Sequence, residues 1–180
     1  NACSAIFWSD GDTIIIPTSV NTINTHVIDH EGGHSGWDTG GYLGHSNDYD
    51  CVDASGQAVS FYSGPGSTCT SQQYFDGYSA MGGWGIYTGH QQESLGWIPP
   101  ANALTVTPAN AGTYQLYPVT SPTLNPIGIY SIRIPIATNP YAGGYYYLET
   151  RRVHPNPAFN NFNTQNIDDP ANVGVMIRLS

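Results

Sequence analysis

The sequence predicts an α+β fold: a helix-bearing region, residues 1–98, followed by a small antiparallel β-sheet or sandwich, residues 99–180. Three observations lead there. Val20, Ile23, Val27 and His30 recur at helical spacing. Ile98 is followed by the breakers Pro99, Pro100 and Asn102, which mark a boundary. Beyond it, short runs separated by turns take over, and Tyr130-Ser131-Ile132-Arg133-Ile134-Pro135-Ile136 alternates with period two.

Taken in order, Asp10-Gly11-Asp12 is a turn and the apolar run 13–17 is a strand. The helix is expected over residues 19–35, with Thr18 or Ser19 as its cap and Gly36 as its stop. A loop-rich stretch runs to Gly83, and residues 90–95 form a short helix. After the boundary, strands are expected at 104–107, 113–119, 128–136, 144–150 and 173–179, with 155–172 as a long polar connection. One obvious strand precedes His30. A helix and a single strand cannot bury the helix's apolar face, so the reading is that upstream strands are missing from this chain.

Composition narrows the function classes. The four basic residues are all arginines, against thirteen acids, for a net charge of −9. Phosphate binding needs clustered basic residues, so a nucleic-acid partner is excluded, as is a polybasic membrane patch. No run is long and apolar enough to span a membrane. Low charge, 13 tyrosines and 21 glycines fit a secreted, β-rich protein.

The segment His30-Glu31-Gly32-Gly33-His34 carries the chemistry. Residues four apart share a helix face, so both imidazoles reach one metal ion. Zinc lowers the pKa of a bound water toward neutrality, and the neighbouring Glu31 is placed to take its proton. Each glycine in the motif costs ~1 kcal/mol of helix stability relative to alanine. A catalytic zinc takes three protein ligands and one open position. His45, in Tyr42-Leu43-Gly44-His45-Ser46-Asn47, is the preferred third ligand and Asp38 its competitor.

These residues resemble the metzincin metallopeptidases, most closely the gametolysin-like branch. The family pattern H-E-x-x-H-x-x-G-x-x-H, often extended to G-H-S-N, is met by HEGGHSGWDTGGYLGHSN, with a longer glycine-rich turn before the last histidine. Tyr78-Ser79-Ala80-Met81-Gly82-Gly83 resembles the family's methionine turn, a packing floor beneath the zinc. Gln92-Glu93-Ser94-Leu95-Gly96-Trp97 is similar to the segment that follows it, and Tyr147-Leu148-Glu149-Thr150-Arg151 and Gly174-Val175-Met176-Ile177-Arg178 to later strands. The resemblance implies a metzincin-like zinc-helix region and a secreted zinc endopeptidase acting on a protein or peptide substrate. It implies His30, His34 and His45 as zinc ligands, Glu31 as general base and Met81 as the structural methionine.

Cys51 and Cys69 bracket the stretch between His45 and the methionine turn, and a disulfide there is expected, worth about 3 kcal/mol by loop entropy. Cys3 is left over. Asp48, Asp50 and Asp53 form a cluster of the kind that suits calcium, but a solvated acidic loop is the preferred reading. His26, His90, His154 and Tyr78 carry no assigned role, and Trp37, Trp84 and Trp97 are read as packing. Two rivals remain. One is a non-enzymatic secreted β-rich module that binds carbohydrate or protein. The other is an inactive remnant that holds zinc but lacks an upstream edge strand.

Overall fold

A computed structural model describes residues 8–10, 13–15, 25–36, 42–59, 66–83, 85–121, 123–137, 143–152 and 174–179. Cys3, Asp38, Trp37, Trp84, His154 and the 155–172 connection lie outside the described residues. The fold is mixed α+β. β1 (Trp8–Asp10) pairs antiparallel with β2 (Thr13–Ile15), and α1 (Thr25–Ser35) runs beside this pair. The start of the expected helix, 19–24, lies outside the described residues. Its end falls where the sequence places it: Gly36 takes φ +72°, the left-handed cap conformation that glycine adopts without a Cβ clash.

The stretch after His45, read from sequence as loop-rich, contains a hairpin. β3 (Asn47–Val52) pairs antiparallel with β4 (Thr68–Gln73), and Cys51 stands directly opposite Cys69. The two form a disulfide. Both strands expose most side chains on both faces, so the pairing carries no hydrophobic alternation for sequence reasoning to find. The disulfide ties together two strands that have little apolar burial of their own.

α2 (Gly89–Ser94) begins with a capping box, in which Gln91 N donates to Thr88 Oγ1 and Thr88 N donates to Gln91 Oε1. A four-stranded sheet follows, in the order β5 (Ala103–Thr105), β6 (Ser131–Pro135), β7 (Tyr145–Thr150), β8 (Val175–Leu179). The expectation of a purely antiparallel sheet needs correction: β5 pairs parallel with β6. Residues 106–130 intervene, long enough for the crossover that a parallel pair demands. The expected strand at 113–119 is also absent. That segment makes isolated bridges, Leu116 with Ile129 and Pro118 with Thr150, and Pro118 has no N–H to extend a ladder.

Leu43, Ala80, Met81, Tyr87 and Leu95 form one apolar cluster; Ile98, Val119 and Tyr130 form another, with Ala103 of β5 packed against it. No helix among the described residues is long and apolar enough to cross a membrane.

Candidate metal centre

His30 and His34 leave α1 one turn apart on one face, with ring centroids 4.9 Å apart. His45 arrives from the irregular segment 42–46, its ring centroid 4.7 Å from that of His34 and 5.3 Å from that of His30. One ligating atom from each of the three lies within 4.8 Å of the others. Among the described residues, this group can hold a metal ion, and the acidic cluster of Asp48, Asp50 and Asp53 does not converge in that way. Asp53 instead caps its own turn, accepting from Ser55 N at 2.8 Å and Gln57 N at 3.0 Å.

The ring nitrogens are sorted by their partners. His30 Nδ1 donates to Ala80 O at 2.9 Å, and His34 Nδ1 donates to Leu43 O at 2.8 Å. A carbonyl only accepts, so both Nδ1 atoms carry the proton and Nε2 is left with its lone pair. His45 Nδ1 lies 2.7 Å from Gln73 Nε2; with the amide turned over, so that Oε1 faces the ring, this Nδ1 carries the proton as the other two do. The Nε2 atoms of His34 and His45 then face each other at 2.9 Å. Two lone pairs at that distance repel unless a cation or a proton sits between them. Nitrogens bound to one tetrahedral ion stand about 3.3 Å apart, so the observed separation needs an adjustment of only a few tenths of an ångström. The donor set fits a metal ion.

Burial favours the ligating form. It lowers the pKa of His30, with only partial opposition from the Ala80 carbonyl. It lowers that of His45 too, aided by the neighbouring His34 and His30. Neutral imidazole is the species that binds metal. Glu31 follows His30 in the same turn, nearly buried, and its charge acts on the His30 ring.

The floor of the site explains Gly33 in the motif. Met81 is 0% exposed, and a Cβ at Gly33 would stand 2.2 Å from its sulfur and 3.0 Å from the Tyr87 ring. No side chain fits there, so the helix bears the glycine cost to let Met81 and Tyr87 approach. The Tyr87 hydroxyl donates to Asp29 O, which ties this floor to α1. Ser46 N donates to Met81 O at 2.8 Å, so the residue after His45 is pinned to the same turn. Ser46 Oγ, Ser79 Oγ and the Gln91 amide join within 3.0 Å of one another, linking α2 to both.

A buried ion network holds this turn from the sheet side. Alternation along β7 carries Tyr147, Glu149 and then Arg151 to one buried face. Glu149 Oε1 accepts from Arg151 Nε at 3.0 Å and from Arg178 Nε at 3.2 Å, and Gly89 N donates to Oε2. Arg151 Nη1 donates to Tyr78 O, and Arg178 pairs with Asp76. Burial alone would raise the pKa of Glu149; Arg151, Arg178 and the Gly89 N–H outweigh it, and the net shift is downward.

A cleft of about 710 Å³ opens beside His45, between the 42–49 segment and β8; Tyr49, Tyr78, Gln91, Tyr146 and Ile177 help to line it. His90, with no role assigned from sequence, also lines it and meets the Tyr147 ring at 4.8 Å with the planes tilted. His26 meets His30 edge-on at 6.0 Å, outside the ligand group. Sequence reasoning missed Gln73, because its contact with His45 spans 28 positions and no spacing rule announces it.

No protein-family model matches this chain, no curated protein matches its sequence, and no solved structure matches its fold.

Proposed function

We propose that this chain is a zinc endopeptidase of metzincin type, in which His30, His34 and His45 hold the metal and Glu31 is the general base. The observation that carries this reading is the convergence of the imidazoles: Nδ1 of His30 and of His34 donates to a main-chain carbonyl, Nδ1 of His45 meets the Gln73 amide, and Nε2 of His34 and His45 face each other. Such anchoring is how ligating histidines are oriented in metal sites. Three neutral imidazoles suit zinc, and a three-residue donor set leaves a coordination position open. The pairing of that set with a carboxylate one residue along the helix favours hydrolysis over a purely structural ion.

When bound, zinc supplies Lewis acidity, polarising a substrate carbonyl and making water acidic enough to lose a proton near neutral pH. Glu31 takes that proton on a carboxylate oxygen and returns it to the leaving amide nitrogen. The cleft beside His45 supplies room for the polypeptide on one side of the cut bond. The disulfide Cys51–Cys69 is compatible with an extracellular setting, where such bonds persist.

Hydrolysis of a mixture of unstructured peptides tests this. The zinc-loaded chain is expected to cleave internal bonds, lose activity with a chelator and regain it when zinc is restored. A chain that takes up zinc but cleaves nothing would be an inactive zinc-holding remnant. A chain that takes up none would be a β-rich binding module.

A further inference from the structure

His45 differs from the other two histidines in how it is supported. His30 and His34 sit on a helix and hand Nδ1 to main-chain carbonyls. His45 sits on irregular chain, and its Nδ1 meets a side chain, Gln73, at 2.7 Å. The next residue, Tyr74, sets its ring against the same imidazole, with centroids 4.2 Å apart and planes tilted by 47°, and reaches His30 at 5.7 Å. Successive residues of an extended strand point to opposite faces, so Gln73 and Tyr74 could not both touch His45 if β4 simply continued. The backbone at Tyr74 leaves the strand with φ +66°, the one positive φ at a non-glycine among the described residues. Glycine or asparagine adopts that conformation at less cost, and a bulky aromatic there is an outlier of the sort that marks functional sites. The ring is not placed there to fill a core, since Tyr74 is 44% exposed.

We infer that Gln73 and Tyr74 are positioning residues that clamp His45 as a metal ligand, and that the left-handed backbone at Tyr74 exists to turn two consecutive side chains onto one imidazole. Gln73, with its amide turned so that Oε1 meets Nδ1, fixes the ring edge and the tautomer. Tyr74 fixes the ring plane, which matters because the terminal torsion of histidine is broad and soft. This inference rests on the reading of His30, His34 and His45 as metal ligands.

The test is zinc affinity, measured by competition with a chromophoric chelator, with the visible absorption of cobalt(II) as a second readout. Tyr74→Gly relieves the backbone while removing the ring. It is expected to weaken zinc binding about tenfold to a hundredfold and to alter the cobalt spectrum, with the unfolding temperature of the metal-free chain unchanged or raised. Tyr74→Asn, which also tolerates the backbone, is expected to behave alike, and Tyr74→Phe to match the parent. Gln73→Leu is expected to weaken binding over the same range. Zinc affinity within twofold of the parent in Tyr74→Gly would overturn the clamp. So would a fall in metal-free stability that accompanies the loss of zinc in both Tyr74→Gly and Tyr74→Asn, because that is plain loss of packing. A parent chain that binds neither metal would overturn the ligand reading and the clamp with it, an outcome separate from the other two.

Discussion

Replacing Glu31 with glutamine is expected to leave zinc uptake at the parent level and to reduce kcat by about 10²–10⁴, the usual contribution of a positioned general base. Holding the metal and moving the proton fall to different residues. Glu31 is outside the group of residues whose ligating atoms converge, so the metal loses no ligand. Glutamine keeps the volume and the hydrogen-bonding outline of glutamate, so the nearly buried position still packs. Only the capacity to take a proton disappears. Metal content and peptide turnover of the same preparation check this together. Full turnover in Glu31→Gln would remove the general base from the mechanism. Loss of metal and turnover together would mean that the carboxylate acts on the site's assembly.

The second large effect is expected on stability. Arg151→Met should lower the free energy of unfolding by about 3–5 kcal/mol, the typical consequence of removing one partner from a buried ion pair. Arg151 and Glu149 are each 1% exposed, so neither charge has water to fall back on. With Arg151 gone, Glu149 keeps Arg178 and the Gly89 N–H but loses its closest cation, and Tyr78 O loses a donor. Set against a total stability of roughly 5–15 kcal/mol, this is a large fraction. Urea unfolding monitored by circular dichroism measures it. The double variant Arg151→Met with Glu149→Leu is expected to recover part of the loss, because it removes the stranded charge as well. A single variant as stable as the parent would contradict the role given to the network.

The parts of the molecule that are legible from sequence are those governed by local spacing. His30 and His34 lie four apart, and that spacing alone places both imidazoles on one helix face. Gly36 announces the end of the same helix by its chemistry. Leu148 and its neighbours in β7 read as a strand, and Gln91 with Thr88 forms the cap of a helix expected over nearly the same residues. What stays hidden depends on the third dimension. The β3–β4 hairpin exposes both faces, so it lacks the alternation that betrays a half-buried strand. The parallel setting of β5 depends on a crossover path that no local residue encodes. Gln73, the Ala80 carbonyl and the Leu43 carbonyl reach the imidazoles only once the chain has folded. One further signal is present in the sequence. Glu149 and Arg151, two apart in a strand with opposite charges, fall on one face and so can be expected to pair. The helix cost of the glycines inside His30–His34 is legible from composition, and the structure gives the reason at Gly33, which packs against Met81.

Zinc content per chain is the direct test of the three-histidine metal site. Native mass spectrometry of the parent chain is expected to show about one zinc, and His45→Ala is expected to lose it or hold it far more weakly, since two imidazoles from one helix do not complete a site. A parent chain without zinc, or a His45→Ala chain that keeps its zinc at undiminished affinity, would mean that these three histidines are not the ligand set.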